Sequence, residues 1–264
     1  MITSVSNARV KQVVQWQTKA KERKKDNVFL AEGMKMFEEA PAEWIQEVYV
    51  EEAVFQKLER VSSIYKKLEQ VGYETVSEEV FKKMSDTQTP QGILTVLKRP
   101  VYHLEELLQV ENPLFVLLED LQDPGNLGTI VRTGEGAGVT AVLMSKNTVD
   151  IFNPKTIRAT MGSVYRVPFI YVENVEDTIK SLHNANVKTY AAHLAGKDYY
   201  DSFSFREGTA FLIGNEGNGL QKSTADAAFS YLKIPMEGQV ESLNAGVAAS
   251  LLAYEAYRQR RREE

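Results

Sequence analysis

The sequence predicts an α/β protein: a doubly wound parallel sheet in the C-terminal part, preceded by a smaller α/β unit. Near-continuous apolar runs at 114–118, 141–144, 187–192, 210–213 and 231–234 lack the in-out alternation of half-exposed strands, and so fit strands covered on both faces. Helical patterns separate these runs, which calls for right-handed crossovers between parallel strands. A charged, proline-punctuated stretch over 98–113 sets this part off from a more polar first part.

In chain order, residues 7–20 place Val10, Val13, Val14 and Trp16 among polar neighbours, the spacing of an amphipathic helix. Residues 28–33 read as a strand ending in a turn at Gly33, and 34–39 as a helix stopped by Pro41. A strand over 47–50 and a helix over 54–69 follow. The run 72–76 leads into a helix starting at Ser77, where Glu78 and Glu79 favour the positive end. Residues 92–97 form the last strand of this part. The expected division is a first domain at 1–98, a linker at 99–113 and a second domain at 114–264, closed by a helix over about 243–258.

In the 264-residue chain, a hydrophobic fraction of 43% against 25% charged residues allows a sizeable core. There is no cysteine, which excludes disulfides, thiolate metal ligands and cysteine nucleophiles. His103, His183 and His193 share no ligand spacing, so no metal is expected. The segment Met1-Ile2-Thr3-Ser4-Val5-Ser6-Asn7 lacks a basic-then-apolar signal, and no apolar run approaches membrane-spanning length. A cytoplasmic protein without a membrane partner is therefore expected. The net charge of −5 opposes nucleic-acid binding, but the charge is unevenly placed. Arg9, Lys11, Lys19, Lys21, Arg23, Lys24 and Lys25 face only Glu22, and Arg258, Arg260, Arg261 and Arg262 lie near the end. Such segments could grip phosphates locally or form solvated helix faces.

In open α/β sheets, ligands sit beyond the carboxyl ends of the strands, so the loops there carry the functional question. The first, 119–132, has a Pro124-Gly125 turn, Asn126 suited to cap the next helix, and Arg132 on the same side as Gly128 and Thr129. A plain turn, cap and solvated arginine would look the same. The second, Gly214-Asn215-Glu216-Gly217-Asn218-Gly219-Leu220, invites a nucleotide-loop reading. It fits neither G-x-G-x-x-G nor G-x-x-x-x-G-K-[ST], and after Gly134-Glu135-Gly136-Ala137-Gly138 the last glycine of the dinucleotide pattern is replaced by Val139. The third, 234–250, runs from Ile234-Pro235-Met236 through Gly238 into a helix rich in Ala and Gly, with Ser242 suited to cap it.

Together these segments resemble the motifs of the SpoU–TrmH, or SPOUT, family of RNA ribose 2′-O-methyltransferases: N-x-G-x-x-x-R at Asn126–Arg132, G-x-E-G at Gly214–Gly217, and I-P-M-x-G-x-x-x-S-L-N at Ile234–Asn244. The first part is similar, more loosely, to the RNA-substrate-binding domain that many members carry, through Ser6-Asn7, Lys11, residues 29–33 and Gln91-Gly92. The resemblance implies a parallel sheet whose C-terminal segment threads a loop into a deep trefoil knot, a homodimer, and an active site at the subunit interface. It implies S-adenosylmethionine held by backbone near Gly214, Ile234 and Leu243. Arg132 would be the central catalytic residue, with Asn126, Glu216, Ser242 and Asn244 shaping the site and Glu216 an alternative base. The substrate implied is ribosomal RNA ahead of transfer RNA, the alternative being an inactive RNA-binding protein. Lys155, Arg158, Trp16 and Trp44 are further candidates for RNA contact, as solvated-face or core residues otherwise.

Overall fold

Asn7 begins the first helix, its side chain accepting from the Arg9 N–H, in a computed structural model that describes residues 1–239 and 242–261. Val240 and Glu241 of the third motif, and Arg262 of the basic tail, lie outside the described residues. The chain divides into two units, Met1–Val101 with Asp150–Tyr165, and Tyr102–Val149 with the residues from Arg166 onward.

The first unit contains α1 (Ala8–Thr18), α2 (Ala20–Lys25), β1 (Val28–Glu32), α3 (Met34–Glu39), β2 (Ile45–Glu51), α4 (Glu52–Phe55), α5 (Ser63–Val71), β3 (Glu74–Val76), α6 (Glu78–Met84) and β4 (Ile93–Lys98). Its sheet runs β1-β4-β2-β3, with only the β2–β3 pair parallel. Val10, Val13 and Trp16 of α1 pack with Val80, Phe81 and Met84 of α6 over one face, while Phe37 and Leu68 cover the other. The helix expected over 54–69 is two helices. Ser62 accepts from the Tyr65 N–H and starts a new helix, offering the backbone a cap in place of a continuing turn.

The second unit contains α7 (Leu104–Leu107), β5 (Leu114–Leu118), α8 (Pro124–Gly136) and β6 (Ala141–Ser145). After α9 (Pro154–Thr160), which belongs to the first unit, come β7 (Phe169–Val172), α10 (Val175–Asn184), β8 (Lys188–Ala192), β9 (Thr209–Ile213), α11 (Lys222–Ala227), β10 (Ser230–Leu232) and α12 (Ala245–Arg260). All pairings in the six-stranded sheet are parallel, in the order β10-β8-β9-β5-β6-β7. Phe115, Leu117, Leu143 and Leu212 pack on Ile179 and Leu182 of α10, while α12 lies against α8 and β9. The chain steps outward through β5, β6 and β7, then returns on the far side of β5. The exits of β5 and β9 are therefore side by side, the place where such a sheet forms its binding crevice.

Residues 99–113, expected as a linker, include α7, and the division falls at Val101 and Tyr102. Strand β7 was not expected; it is a four-residue edge strand whose two middle residues are not buried, so its apolar signal is weak. Residues 150–165, expected with the second domain, build the first unit instead. There α9 packs on β1, Phe152 meets Phe29 with ring centroids 4.9 Å apart, and the Tyr165 hydroxyl donates to the Met36 carbonyl at 3.0 Å. Arg23, read as part of a basic arm, is only 3% exposed: it donates to the Trp16 carbonyl at 2.7 Å and pairs with Asp150 at 2.6 Å. The Trp16 indole is buried and donates to Asp26, which makes it a core residue. Arg158 pairs with Asp86 at 2.7 Å, and Trp44 packs edge-on against Tyr165.

Candidate active site

Where β5 ends, Glu119 is 3% exposed, and its carboxylate accepts from the Gln221 N–H at 2.7 Å and from the Thr224 hydroxyl. The following Asp120 has a positive φ of 55°, and its carbonyl accepts from the Asn215 amide at 2.8 Å. These contacts tie the loop after β5 to the loop after β9. The second loop is tied to itself as well, since Asn215 and Gly219 exchange backbone hydrogen bonds of 3.1 and 2.9 Å. Glycine is required at 214, because a Cβ there would sit 2.1 Å from the Gly219 carbonyl carbon.

The self-closed turn presents Glu216 to the first loop. Its carboxylate accepts from the Gln122 N–H at 3.1 Å, the Asp123 N–H at 3.0 Å and the Asn126 side-chain amide at 3.0 Å. Partial burial pushes the Glu216 pKa up, but the hydrogen bonds from Asn126, Gln122 and Asp123 outweigh it and hold the carboxyl below the usual glutamate value. A carboxylate so occupied is a poor proton acceptor, which counts against Glu216 as a base.

Asn126 is not the helix cap expected for it. Asp123 caps α8, accepting from the Asn126 N–H at 2.8 Å with Pro124 in the first turn, and this frees the Asn126 side chain. A carboxylate only accepts, so the Asn126 Nδ2 is fixed toward Glu216 and its Oδ1 is turned the other way. That oxygen is 3.5 Å from where a Cβ on Gly246 would stand, and the Asn244 Oδ1 is 3.2 Å from the same point. Asn244, not Ser242, caps α12, accepting from the Gly246 N–H at 2.9 Å and the Val247 N–H at 3.3 Å. The two asparagines thus meet at the start of α12.

Beside them lies a cleft of about 330 Å³, within the usual range for a small-molecule site. The expected residues Gly214, Glu216, Ile234, Ser242 and Leu243 all line it. His193 and Lys233 line it too, and neither was among the site residues expected from the sequence. His193 follows β8 directly, a position that could have flagged it. Its Nδ1 accepts from the Ala195 N–H at 3.1 Å, and its ring lies 5.2 Å from that of Tyr231.

Arg132 is not among the residues lining the cleft. It is exposed on α8, and its guanidinium makes no hydrogen bond or ion pair among the described residues. One turn further on, Gly136 lies against Tyr254 of α12, and Thr133 and Ser250 share a hydroxyl hydrogen bond of 2.9 Å across the same seam. Val247 and Tyr254, 52% and 46% exposed, continue this surface along α12.

Residues 113–254 match the SpoU rRNA Methylase family, and residues 7–95 match the MRM3-like substrate binding domain. The chain is 35% identical over 257 residues to the 23S rRNA (guanosine(2553)-2′-O)-methyltransferase RlmP of Bacillus subtilis, covering 96% of this chain and 97% of the relative. It is similar in structure to an AdoMet-bound rRNA methyltransferase from Sinorhizobium meliloti, with a TM-score of 0.86, 31% identity and 97% of each chain covered. A solved RNA 2′-O ribose methyltransferase is also similar, with a TM-score of 0.82, 30% identity and 98% of each chain covered.

Proposed function

Since the chain belongs to the SpoU rRNA methylase family, we propose that it methylates a ribose 2′-hydroxyl of ribosomal RNA with S-adenosylmethionine as methyl donor. The observation that carries this reading is the convergence of the segments after β8, β9 and β10 on one cleft, with Glu216 of its lining bonded to Gln122, Asp123 and Asn126 beyond β5. The cleft suits the cofactor. Backbone of the 214–220 turn offers polar groups, while Ile234, Leu243, Ala245 and Ala248 offer apolar surface for a purine and a thioether. When bound, the cofactor supplies an electrophilic methyl group on a positively charged sulfur.

The protein's own task is to seat the acceptor hydroxyl and stabilise the negative charge that develops on its oxygen. We assign the seating to Asn126, whose Oδ1 is free to accept the hydroxyl proton because Glu216 holds its other end. Ser242 and Asn244 shape the wall between this point and the cleft. A guanidinium offers a fork of donors and no acceptor, so the role of Arg132 is to position the 2′-oxygen or a neighbouring phosphate and to stabilise charge there. It stands on the α8–α12 surface and not in its own chain's cleft. We therefore place a second copy over that surface, bringing Arg132 to an active site shared between subunits. The threaded C-terminal knot belongs to the same reading, and so does RNA binding by the first unit.

Arg132→Ala tests the assignment. Methyl transfer to large-subunit RNA should fall at least about a hundredfold, the usual effect of removing a charge-stabilising donor. Calorimetry should show S-adenosylmethionine binding within a few-fold of wild type. Full activity in the variant would refute the role given to Arg132, and absence of cofactor binding by the wild type would point to an inactive RNA-binding protein. Mapping 2′-O-methyl groups in RNA from cells with and without the protein identifies the nucleotide.

A further inference from the structure

At the far end of α12 from the cleft, Gln259 and Arg260 clamp the segment that leads into β9. The Gln259 side chain accepts from the Phe205 N–H at 2.7 Å and donates to the Phe203 carbonyl at 3.0 Å. The Arg260 guanidinium donates to the carbonyls of Phe205, Asn112 and Glu207 at 2.6, 2.8 and 2.5 Å. Phe205 is fully buried against Phe211, so the segment is anchored on both sides. This clamp fixes the neighbouring Arg206 on a rigid rib.

Arg206, Arg258 and Arg261 line the same open recess of about 760 Å³ beside the Ser204 hydroxyl, and among the described residues no carboxylate lines it. Arg258 is tied to Glu255 at 2.8 Å, but the guanidinium groups of Arg206 and Arg261 make no hydrogen bond or ion pair among the described residues. Cations in the last turn of a helix answer its negative end, which accounts for Arg258 and Arg260. It does not account for Arg206, which comes from a different part of the chain. In a chain of net charge −5, a recess whose described lining holds three exposed arginines and no acid stands apart.

The geometry points to a second RNA contact here: a guanidinium cradle, centred on Arg206 and Arg261, that grips the sugar–phosphate backbone of the substrate away from the methylated ribose. It rests on the methyltransferase reading for the identity of the partner. Guanidinium pairs and a serine hydroxyl match phosphate oxygens and carry no sequence information, so the contact adds affinity and register without choosing a base. Phe203, the aromatic residue of the recess, has its ring engaged by Tyr190 and Phe205, which leaves no apolar anchor of the kind a protein partner would use. At a rise of about 1.5 Å per residue, the step along α12 from Ala248 of the cleft to Arg258 of the recess is roughly 15 Å, so the cradle is a separate subsite on a long ligand.

The test uses the full chain and a mixed-sequence RNA hairpin, with binding followed by fluorescence anisotropy over a salt series. In the double variant Arg206→Gln/Arg261→Gln, affinity should fall about tenfold, and the slope of log affinity against log salt should become shallower by about 1.5, as for two lost phosphate contacts. S-adenosylmethionine affinity, thermal midpoint and kcat should stay unchanged while KM for RNA rises. Lysine at both positions should restore most of the slope. Unchanged affinity and slope would overturn the cradle, as would a loss of binding to a poly-glutamate peptide in place of RNA. A wild-type protein that binds the hairpin with this arginine dependence, yet neither binds the cofactor nor transfers methyl groups, would support the cradle and overturn the enzymatic reading.

Discussion

Three donors converge on the Glu216 carboxylate, and what they stabilise is its charged form. The part proposed for it in the site is to orient Asn126, whose side-chain amide it holds at 3.0 Å. Glu216→Gln puts an amide where only an acceptor fits, so the Asn126 side chain should turn over and present its NH₂ group to the acceptor hydroxyl. The expected result is a tenfold to hundredfold drop in kcat, about the worth of one hydrogen bond to a charged group, with cofactor affinity nearly kept. Unaltered kcat would rule out the orienting role. The same geometry sets a pH dependence. A carboxyl whose folded pKa lies below its unfolded value contributes stability above the unfolded value and loses it as pH falls through the folded one. The loop-to-loop contact should therefore be intact at neutral pH and open only in acid below the ordinary glutamate range, read as weakened cofactor binding in wild type and a flatter profile in Glu216→Gln. Glu216 itself was legible from its motif, but its three donors were not. They lie 90 to 94 residues away in sequence, and the pairing of β5 with β9 brings them close. Glu119 and Asn215 were hidden for the same reason.

Among the elements, the parallel strands were the most legible, because a strand buried on both faces writes itself as an unbroken apolar run. Elements whose limits depend on a single side chain were harder to read. Ser62 splits one expected helix into α4 and α5, and Asp123 displaces Asn126 as the cap of α8. Charge was legible as composition but not as placement, as Arg23 shows. Its guanidinium holds the end of α1 to the segment that carries α9, from inside the first unit. Arg23→Met should leave Asp150 without its buried partner and cost about 3 kcal/mol, the lower end for breaking such a pair because Asp150 keeps some solvent. Urea unfolding followed by Trp fluorescence measures this. A variant as stable as wild type would show that the pair contributes nothing net.

For the whole molecule, family, sheet and cleft were all foreseeable, whereas the surface proposed to receive a second copy was not. Residues such as Val247 and Tyr254 are ordinary helix residues until α12 is seen to leave them uncovered beside Arg132 and Gly136. Sedimentation velocity should find a dimer in the wild type. Tyr254→Asp should shift it to monomer and lower methyl transfer in proportion; a wild-type monomer with full activity would sink the shared site. A different consequence follows from the segment Asp150–Tyr165, which leaves the second unit to complete the first. During synthesis at roughly 5–20 residues per second, the stretch from Tyr102 to Tyr165 takes about three to thirteen seconds, and the amino-terminal part waits at least that long for Phe152 and Asp150 to reach Phe29 and Arg23. Until then its folding nucleus lacks one wall, and the nascent chain is exposed to chaperones and proteases over an interval that a fragment ending at the expected boundary would never leave.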